Sequence, residues 1–201
     1  KIFDVGVRLR RAGRRVRVLE IHLGGQGEAY GCEGKGGKWV VVKLFKPELC
    51  TAEMEKRTRW IAAQNLDALD PYIRAPREVF WYGKRLGYIC DYAQGLTGDE
   101  FLEGRVPFEI EEGIDLSARL ARILEKLHAM GIGHGDWFTS NFLIATQPGG
   151  GSRVLVPFLI DFDNYAHRDF FSERHQRPAA DVIRVRVAAV IEQLGYGHIK
   201  P

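Results

Sequence analysis

Alternating hydrophobic and polar positions predict β-structure in the first part of the chain. Short runs with a period of two lie around Val5–Leu9 and Val16–Ile21, and they lead into the glycine-rich segment Gly24–Gly27. Two further strands are predicted at Ala29–Glu33 and Trp39–Phe45. We therefore expect the chain to begin with a β-rich region.

One helix and two more strands complete this region. Thr51 is the predicted N-cap of a helix that runs to about Gln64, with acidic residues in its first turn. Strands follow at Val79–Tyr82 and Leu86–Asp91, joined by the turn Gly83–Arg85.

Beyond Gly95 the apolar positions change to a helical period. They predict a buried helix from about Ile114 to Met130 and a loop at Gly131–Asn141. The predicted elements that follow are a strand at Phe142–Ala145, a glycine-rich turn at Pro148–Ser152, a strand at Val154–Ile160 and a last helix from about Ala179 to Leu194. The expected fold is α+β, with a β-rich lobe over residues 1–91 and a truncated, mainly helical lobe over residues 92–201.

Composition is that of a folded soluble protein. Of the 201 residues, 45% are hydrophobic and 27% are charged, which argues against disorder. No apolar run approaches the roughly 18–20 residues that cross a bilayer, and the chain begins with no secretory signal. Because the sequence opens on Lys1 without an initiator methionine, we expect the native chain to start earlier.

Cysteine usage and charge limit the compartment and the partners. Cys32, Cys50 and Cys90 are odd in number and lack metal-site spacing, so we expect reduced thiols in a cytoplasmic protein. The net charge is +3, and no nucleic-acid partner is expected. The basic residues near the start either form the solvated face of a strand, the favoured interpretation, or meet an acidic partner; they are Arg8, Arg10, Arg11, Arg14, Arg15 and Arg17.

A glycine-rich turn and a strand lysine suggest phosphate binding. Glycines such as Gly24, Gly25 and Gly27 let the backbone approach a phosphate, although hairpin turns use glycine as well. Lys43 ends an apolar strand, where a lysine is costly to bury without an anionic partner. The following helix offers Glu53 and Glu55 for that role. The alternative is an edge-strand lysine that extends to water.

Acidic and amide side chains in the second half suggest metal-assisted phosphoryl transfer. The segment from His134 to Asn141 holds Asp136 and Asn141 five residues apart in a loop, and Asp161 ends an apolar strand. Phosphoryl transfer needs a carboxylate that accepts the proton of the acceptor hydroxyl and oxygen ligands for Mg²⁺. The alternative is two aspartate-containing turns that cap strands.

In their order along the chain, these motifs resemble the protein-kinase-like superfamily. The resemblance implies ATP and Mg²⁺ as cofactors. By position, Lys43 resembles the lysine that holds the α- and β-phosphates, and Glu55, preferred over Glu53, resembles its helix partner. Asp136 resembles the catalytic carboxylate. Asn141 and Asp161 resemble the Mg²⁺ ligands.

The resemblance also extends to the adenine site. Cys90 resembles the gatekeeper residue, and backbone groups of Asp91 and Ala93 are expected to reach adenine. Ala29 lies where the family has a valine beneath the adenine ring. Asp181 resembles the buried aspartate that braces the catalytic loop.

Several positions depart from the protein Ser/Thr kinase pattern. His22 replaces the first glycine of the glycine-rich loop, Gly135 replaces an arginine, and Phe138 stands where those enzymes carry a lysine. Asp163 replaces the glycine of D-F-G, and the segment from Asp163 to Asp181 lacks A-P-E. These features resemble small atypical bacterial protein kinases, and also RIO, lipopolysaccharide-sugar, choline and aminoglycoside kinases.

The predicted function is that of a minimal bacterial Ser/Thr protein kinase acting on a protein substrate. Small-molecule kinases usually insert extra substrate-binding helices, for which this chain has little room. The alternatives are a small-molecule or lipopolysaccharide-sugar kinase and a catalytically weak pseudokinase module.

Overall fold

The fold is α+β, as the sequence predicts. The computed structural model describes residues 17–33, 37–134, 139–149 and 152–167. In chain order, the described elements are β1 (Arg17–Leu23), β2 (Gly27–Glu33), β3 (Trp39–Phe45), α1 (Ala52–Ala63), α2 (Leu66–Leu69), β4 (Glu78–Tyr82), β5 (Arg85–Asp91), β6 (Leu96–Thr97), α3 (Gly98–Leu102), α4 (Ile110–Ala129), β7 (Ile132–His134), β8 (Phe142–Gly149), β9 (Ser152–Leu159) and β10 (Tyr165–His167). Single 3₁₀ turns lie at Pro47–Leu49, Thr139–Asn141 and Phe162–Asn164.

The described residues divide into two compact units. The first contains Arg74–Tyr92 together with the described residues up to Leu66. The second contains Asp67–Ile73 together with the described residues from Ala93 onward.

A five-stranded antiparallel sheet forms the first unit, with strand order β1-β2-β3-β5-β4. Strand β3 is therefore central, between β2 and β5. One apolar cluster contains Tyr30, Cys32, Val42 and Leu44. A second contains Phe45, Leu86, Tyr88 and Cys90, and Met54 of α1 packs against it. Because side chains alternate along a strand, these clusters cover opposite faces of the sheet, and α1 lies on the face of Phe45 and Cys90.

Helix α1 forms where the sequence predicts it. The Thr51 side chain accepts a hydrogen bond from the Met54 amide at 3.1 Å, which satisfies one of the unpaired donors of the first turn. Glu53 and Glu55 lie in that turn, where carboxylates favour the positive end of the helix dipole. Thr58 and Ile61 are buried and anchor the helix.

The core of the second unit lies between α4 and the sheet β6-β8-β9. Helix α4 buries one apolar stripe, so its period-3.6 pattern gives a helix with one solvent face. The main cluster contains Phe101, Leu116, Leu120, Phe142, Ile144 and Leu155. Strands β7 and β10 form a separate antiparallel pair.

Residues 67–73 pack with the second unit although they precede much of the first in sequence. Lys126 of α4 forms a 2.7 Å ion pair with the buried carboxylate of Asp70. The Leu159 amide donates to the Tyr72 carbonyl at 2.9 Å, and the rings of Tyr72 and Phe158 meet edge to face. This segment is therefore fixed to both α4 and β9.

Some elements differ from the sequence-based expectation. Strand β7 lies inside the predicted loop Gly131–Asn141, and strand β8 runs to Gly149 instead of ending at Ala145. The reason is pairing, since β7 is completed by β10 and β8 continues its ladder with β9. The predicted strand Val5–Leu9 and the helix Ala179–Leu194 lie outside the described residues. None of the described helices is long and apolar enough to cross a membrane.

An ion pair joins β9 to the first turn of α4 and gives a pH-dependent prediction. Arg153 donates from Nε and Nη2 to the two carboxylate oxygens of Glu112, each at 2.7 Å. These bonds, with that from the Glu109 amide, lower the pKa of Glu112 from 4.5 to about 2. Since the folded pKa is lowered, the stabilisation is present above pH 4.5 and is lost as the pH falls through about 2.

We expect Arg153→Met to raise the Glu112 pKa most of the way back to 4.5 and to remove that pH dependence. The carboxyl NMR shift of Glu112, followed during an acid titration, measures this. Arg105→Met, which breaks the ion pair with Glu100 instead, is the matched control and leaves the Glu112 titration unchanged. A Glu112 pKa that stays near 2 in Arg153→Met would contradict the assignment.

Candidate active site

The glycine-rich turn between β1 and β2 contains one glycine that packing requires. The Gly24 amide donates to the Gly27 carbonyl at 2.9 Å, and the Lys46 amide donates to the Gln26 carbonyl at 3.0 Å. A Cβ at Gly27 would lie 2.2 Å from the Leu44 carbonyl oxygen, so no other residue fits there. Gly27 therefore keeps the turn close against β3.

Gly24 and Gly25 have no such packing requirement. A Cβ at Gly25 would meet nothing within 4 Å, and one at Gly24 would come no closer than 3.7 Å to another atom. Neither glycine is among the described residues with positive φ. Both are exposed, so their bare backbone leaves room for a ligand to approach the turn. This open backbone is compatible with the predicted phosphate-binding role, which stays a prediction.

Lys43 lies on the central strand, so the edge-strand alternative is wrong. It pairs in register with Ala29 of β2 and Tyr88 of β5, and it is half-buried. Its distance from the sheet edge and its partial burial favour an anionic partner for the ammonium group.

Three of the predicted nucleotide-binding residues share one face of the sheet. Ala29 is directly opposite Lys43, and Cys90 is directly opposite Val41, two residues before Lys43 on the same strand. Since side chains repeat with a period of two, Ala29, Lys43 and Cys90 point to the same side. Gly27 and Gly31 of β2 lie on this side as well.

Glu55 is held by α1 itself and by β4. Its Oε1 accepts from Arg59 Nε at 2.9 Å. A hydrogen bond from Trp81, and next that from Arg59, lower the pKa of Glu55. Glu53 is exposed. The pairing of Lys43 with Glu55, or with Glu53, therefore stays a prediction, and Glu55 would have to share its carboxylate with these partners.

The Asp91 side chain is engaged in ion pairs at the end of β5. Its carboxylate lies 3.0 Å from Lys38 Nζ and 2.5 Å from Arg77 Nη1. Burial alone would raise the pKa of Asp91, but these two cations outweigh it and lower the pKa. The Tyr92 amide donates to the Trp39 carbonyl at 3.4 Å. The side chain thus fixes the strand end, and backbone groups of Asp91 and Ala93 remain the candidates for adenine recognition.

In the second unit, the structure brings Asn141 next to Asp161. The Ile160 amide donates to the Asn141 carbonyl at 3.0 Å. Ile160 is the residue before Asp161, and Asn141 is the last residue of the motif that begins at His134. Asp161 itself adopts the left-handed conformation, with φ 60° and ψ 69°. Apart from glycine, aspartate and asparagine are the residues that adopt this conformation most readily, whereas most other side chains would be strained there.

His134 braces this junction. Its Nε2 lies 2.9 Å from the Ile160 carbonyl oxygen, which fixes Nε2 as the protonated nitrogen because a carbonyl can only accept. The ring also meets Phe162 edge to face at 5.0 Å. Sequence reasoning used His134 only as the first residue of a motif. Its bracing role follows from the contacts on both sides of Asp161.

Other predicted residues fall outside the described part of the chain. Asp136, Gly135 and Phe138 belong to residues 135–138, and Asp181 lies beyond residue 167. The arginine cluster does too, apart from Arg17 on β1. Among the described residues, no group of three or more His, Cys, Asp or Glu could hold a metal ion. The candidate metal ligands there are Asn141 and Asp161.

Comparison with known families decides the reaction class. Residues 113–186, more than a third of the chain, match the model of the Lipopolysaccharide kinase (Kdo/WaaP) family, which belongs to the protein-kinase-like superfamily. The chain is a kinase. The matched segment includes most of α4 and the positions His134, Asp136, Asn141 and Asp161. A search of curated proteins found no significant match.

The match and the geometry concern the same part of this kinase. The segment that the family model covers contains the Asn141–Ile160 hydrogen bond, the left-handed Asp161 and the His134 contacts with Ile160 and Phe162. A kinase transfers a phosphoryl group to an acceptor, here an alcohol group. The resemblance to the protein-kinase-like superfamily is confirmed, and the acceptor remains to be assigned.

Proposed function

We propose that this kinase transfers the γ-phosphoryl group of Mg²⁺-bound ATP to a sugar hydroxyl of lipopolysaccharide. The observation that carries the proposal is the junction of Asn141 and Asp161, braced by His134, inside the segment that matches the lipopolysaccharide kinase family. Since ATP is a cytoplasmic metabolite, we place the reaction in the cytoplasm.

The candidate nucleotide-binding residues of the first unit fit ATP. The open backbone at Gly24 and Gly25 leaves space for phosphate oxygens, and Lys43 presents a cation on the adjacent strand face. Ala29 and Cys90 share that face and would line the adenine ring. Backbone groups of Asp91 and Ala93 would recognise its polar edge, and residues 1–91 would form the nucleotide-binding lobe.

The candidate metal ligands of the second unit fit Mg²⁺ because both offer oxygen atoms. Mg²⁺ prefers carboxylate and carbonyl oxygens and usually keeps phosphate oxygens or waters in its shell. Asp161 and Asn141 supply one carboxylate and one amide at neighbouring positions. Held by these residues, Mg²⁺ would supply neutralisation of the charge on the transferred phosphoryl group. The chain's own contribution is the backbone hydrogen bond from Ile160 to Asn141, which keeps Asn141 close to Asp161.

Asp136 is the proposed catalytic carboxylate. It would accept the proton of the acceptor hydroxyl and hold that oxygen in line with the phosphoryl group. Asp136 follows by two residues the buried His134, which contacts the Ile160 carbonyl.

The acceptor is where the proposal departs from the Ser/Thr protein kinase favoured by the sequence. The family match favours a lipopolysaccharide sugar, and the sequence departures agree, because Phe138 and Gly135 replace residues that protein kinases carry. A protein acceptor remains the second candidate, because the order of motifs from Gly24 to Asp161 also resembles that of small bacterial protein kinases.

The test is phosphate transfer from γ-labelled ATP with Mg²⁺ to separate acceptors: lipopolysaccharide, a panel of proteins and an aminoglycoside. We expect label on lipopolysaccharide and none on the other acceptors. Label on protein Ser or Thr would replace the proposal with the second candidate. Nucleotide binding without transfer to any acceptor would instead indicate a pseudokinase.

A further inference from the structure

Arg85 makes an unusual set of contacts at the end of the nucleotide-binding sheet. It is the first residue of β5, directly after the turn of Gly83 and Lys84. Its Nε donates to the Phe45 carbonyl at 2.8 Å, and its Nη2 donates to the Leu44 carbonyl at 2.9 Å. Nη1 forms an ion pair with Glu28 at 2.9 Å, and the side chain is only 21% exposed. One guanidinium therefore joins three strands.

The Arg85 guanidinium donates hydrogen bonds to β3 at the end of the β3–β5 ladder. The last register pair of those strands is Leu44 with Gly87. The next amide of β5, that of Leu86, donates to the sulfur of Cys50 at 3.1 Å. The Phe45 carbonyl accepts instead from Arg85. On its β2 side the end of β3 keeps its sheet pairing, with Phe45 opposite Gly27, and on its β5 side the side chain of Arg85 replaces the missing ladder bonds.

The same strand end supports the glycine-rich turn. The Leu44 carbonyl oxygen that Arg85 holds is the atom that a Cβ at Gly27 would approach to 2.2 Å. The Lys46 amide, one residue after Phe45, donates to the Gln26 carbonyl at 3.0 Å. A shift of Leu44 and Phe45 therefore moves Gly24–Gly27 with them, because the turn is in van der Waals contact and hydrogen-bonded to that segment.

Arg85 also neutralises an acidic group beside the turn. Glu28 follows Gly27 directly, and its carboxylate accepts from both Arg85 and the Tyr30 hydroxyl. Burial and, next, the hydrogen bond to Glu28 raise the pKa of Tyr30, so Tyr30 stays neutral and Arg85 is the cation of the group. Glu28 lies on the sheet face opposite to Ala29 and Lys43, so Arg85 acts by fixing the residue next to Gly27 and not by direct contact with a nucleotide.

We propose that Arg85 is a positioning residue for the nucleotide phosphates, acting through the Leu44–Phe45 strand end and Glu28 on the glycine-rich turn. The inference rests on the proposed ATP-binding role of this sheet. It requires that Arg85 affect the affinity for ligands that carry phosphates and not the affinity for ligands that lack them. It also requires the planar, forked guanidinium, because a lysine ammonium cannot match both carbonyls and the carboxylate in the same geometry.

The experiment compares the binding of ADP and adenosine to the whole chain by calorimetry, with Mg²⁺ present. We expect Arg85→Met to weaken ADP binding by about tenfold, the size of one charge-assisted contact, and to leave adenosine binding unchanged. Arg85→Lys restores the charge without the fork and should fall between the parent and Arg85→Met. Lys84→Met removes a cation from the exposed neighbouring position and is the matched control, with ADP binding as in the parent.

Amide hydrogen exchange gives a second measurement that needs no ligand. Faster exchange at Gly27 and Lys46 in Arg85→Met, with α4 unchanged, is expected because both amides belong to the supported segment. Equal weakening of ADP and adenosine, or unchanged ADP binding, would overturn the inference and leave the proposed function standing. A parent chain that binds no ADP would overturn the proposed function, and this inference with it.

Discussion

Replacing Asp136 by asparagine is expected to lower turnover by roughly 10²–10⁴-fold, the usual cost of losing a positioned acid or base. The substitution keeps the size of the side chain and removes the group that accepts the proton of the acceptor hydroxyl. Nucleotide affinity should stay as in the parent, because this role involves the acceptor and not adenine or the β-phosphate. Turnover on the acceptor labelled in the transfer assay, and the nucleotide Kd under the same conditions, measure the two effects.

A surface carboxylate supplies the control for Asp136→Asn. Asp115 on α4 is exposed and forms only a 3.4 Å ion pair with Arg119, so Asp115→Asn removes the same charge from the matched segment without touching the site. Its turnover should equal that of the parent. Full turnover in Asp136→Asn would show that another group accepts the proton.

The elements that could be predicted from sequence are those with local causes. Helix α1 begins after Thr51 and ends before Gln64 as expected, because a side-chain cap and a buried stripe act within the segment. Strand β3 has the predicted bounds because its apolar run lies between Gly37 and Pro47, residue types that are unfavourable within strands. Strands β7 and β10 have three residues each, and they form only because they pair with each other. No local pattern of that length indicates such a pairing.

The site could be predicted as an order of residue types but not as a geometry. The spacing of His134, Asn141 and Asp161 indicates the chemistry, because phosphoryl transfer uses those side chains in that order. The left-handed backbone of Asp161 and the contact of His134 with the Ile160 carbonyl depend on packing between distant segments. The Arg85 contacts are of the same kind, since residues 28, 44 and 45 are far from residue 85 in sequence. A basic residue after a turn gives no signal of them.

Asp161→Asn is expected to remove the metal-binding carboxylate and to keep the left-handed backbone at residue 161. Loss of the carboxylate should weaken Mg²⁺-dependent nucleotide binding and reduce turnover roughly 10²–10³-fold, the cost of losing one electrostatic stabiliser. The melting temperature should hardly change, because asparagine tolerates the left-handed region. Asn65 already adopts it in this chain, at φ 52°. Asp161→Ala should show the same loss of activity. Its free energy of unfolding should be about 1 kcal/mol lower, since alanine does not tolerate that region.

Omitting the metal makes the assignment of Asp161 decisive. Because Asp161 is proposed to act on the nucleotide only through Mg²⁺, the parent and Asp161→Asn should bind ADP with equal affinity in EDTA and differ once Mg²⁺ is added. An equal difference with and without the metal would mean that Asp161 contacts the nucleotide by another route. If Asp161→Ala and Asp161→Asn had the same melting temperature, the φ of 60° would not strain an alanine at this position. Binding in EDTA thus tests the ligand, and thermal melting tests the backbone, on the same two variants.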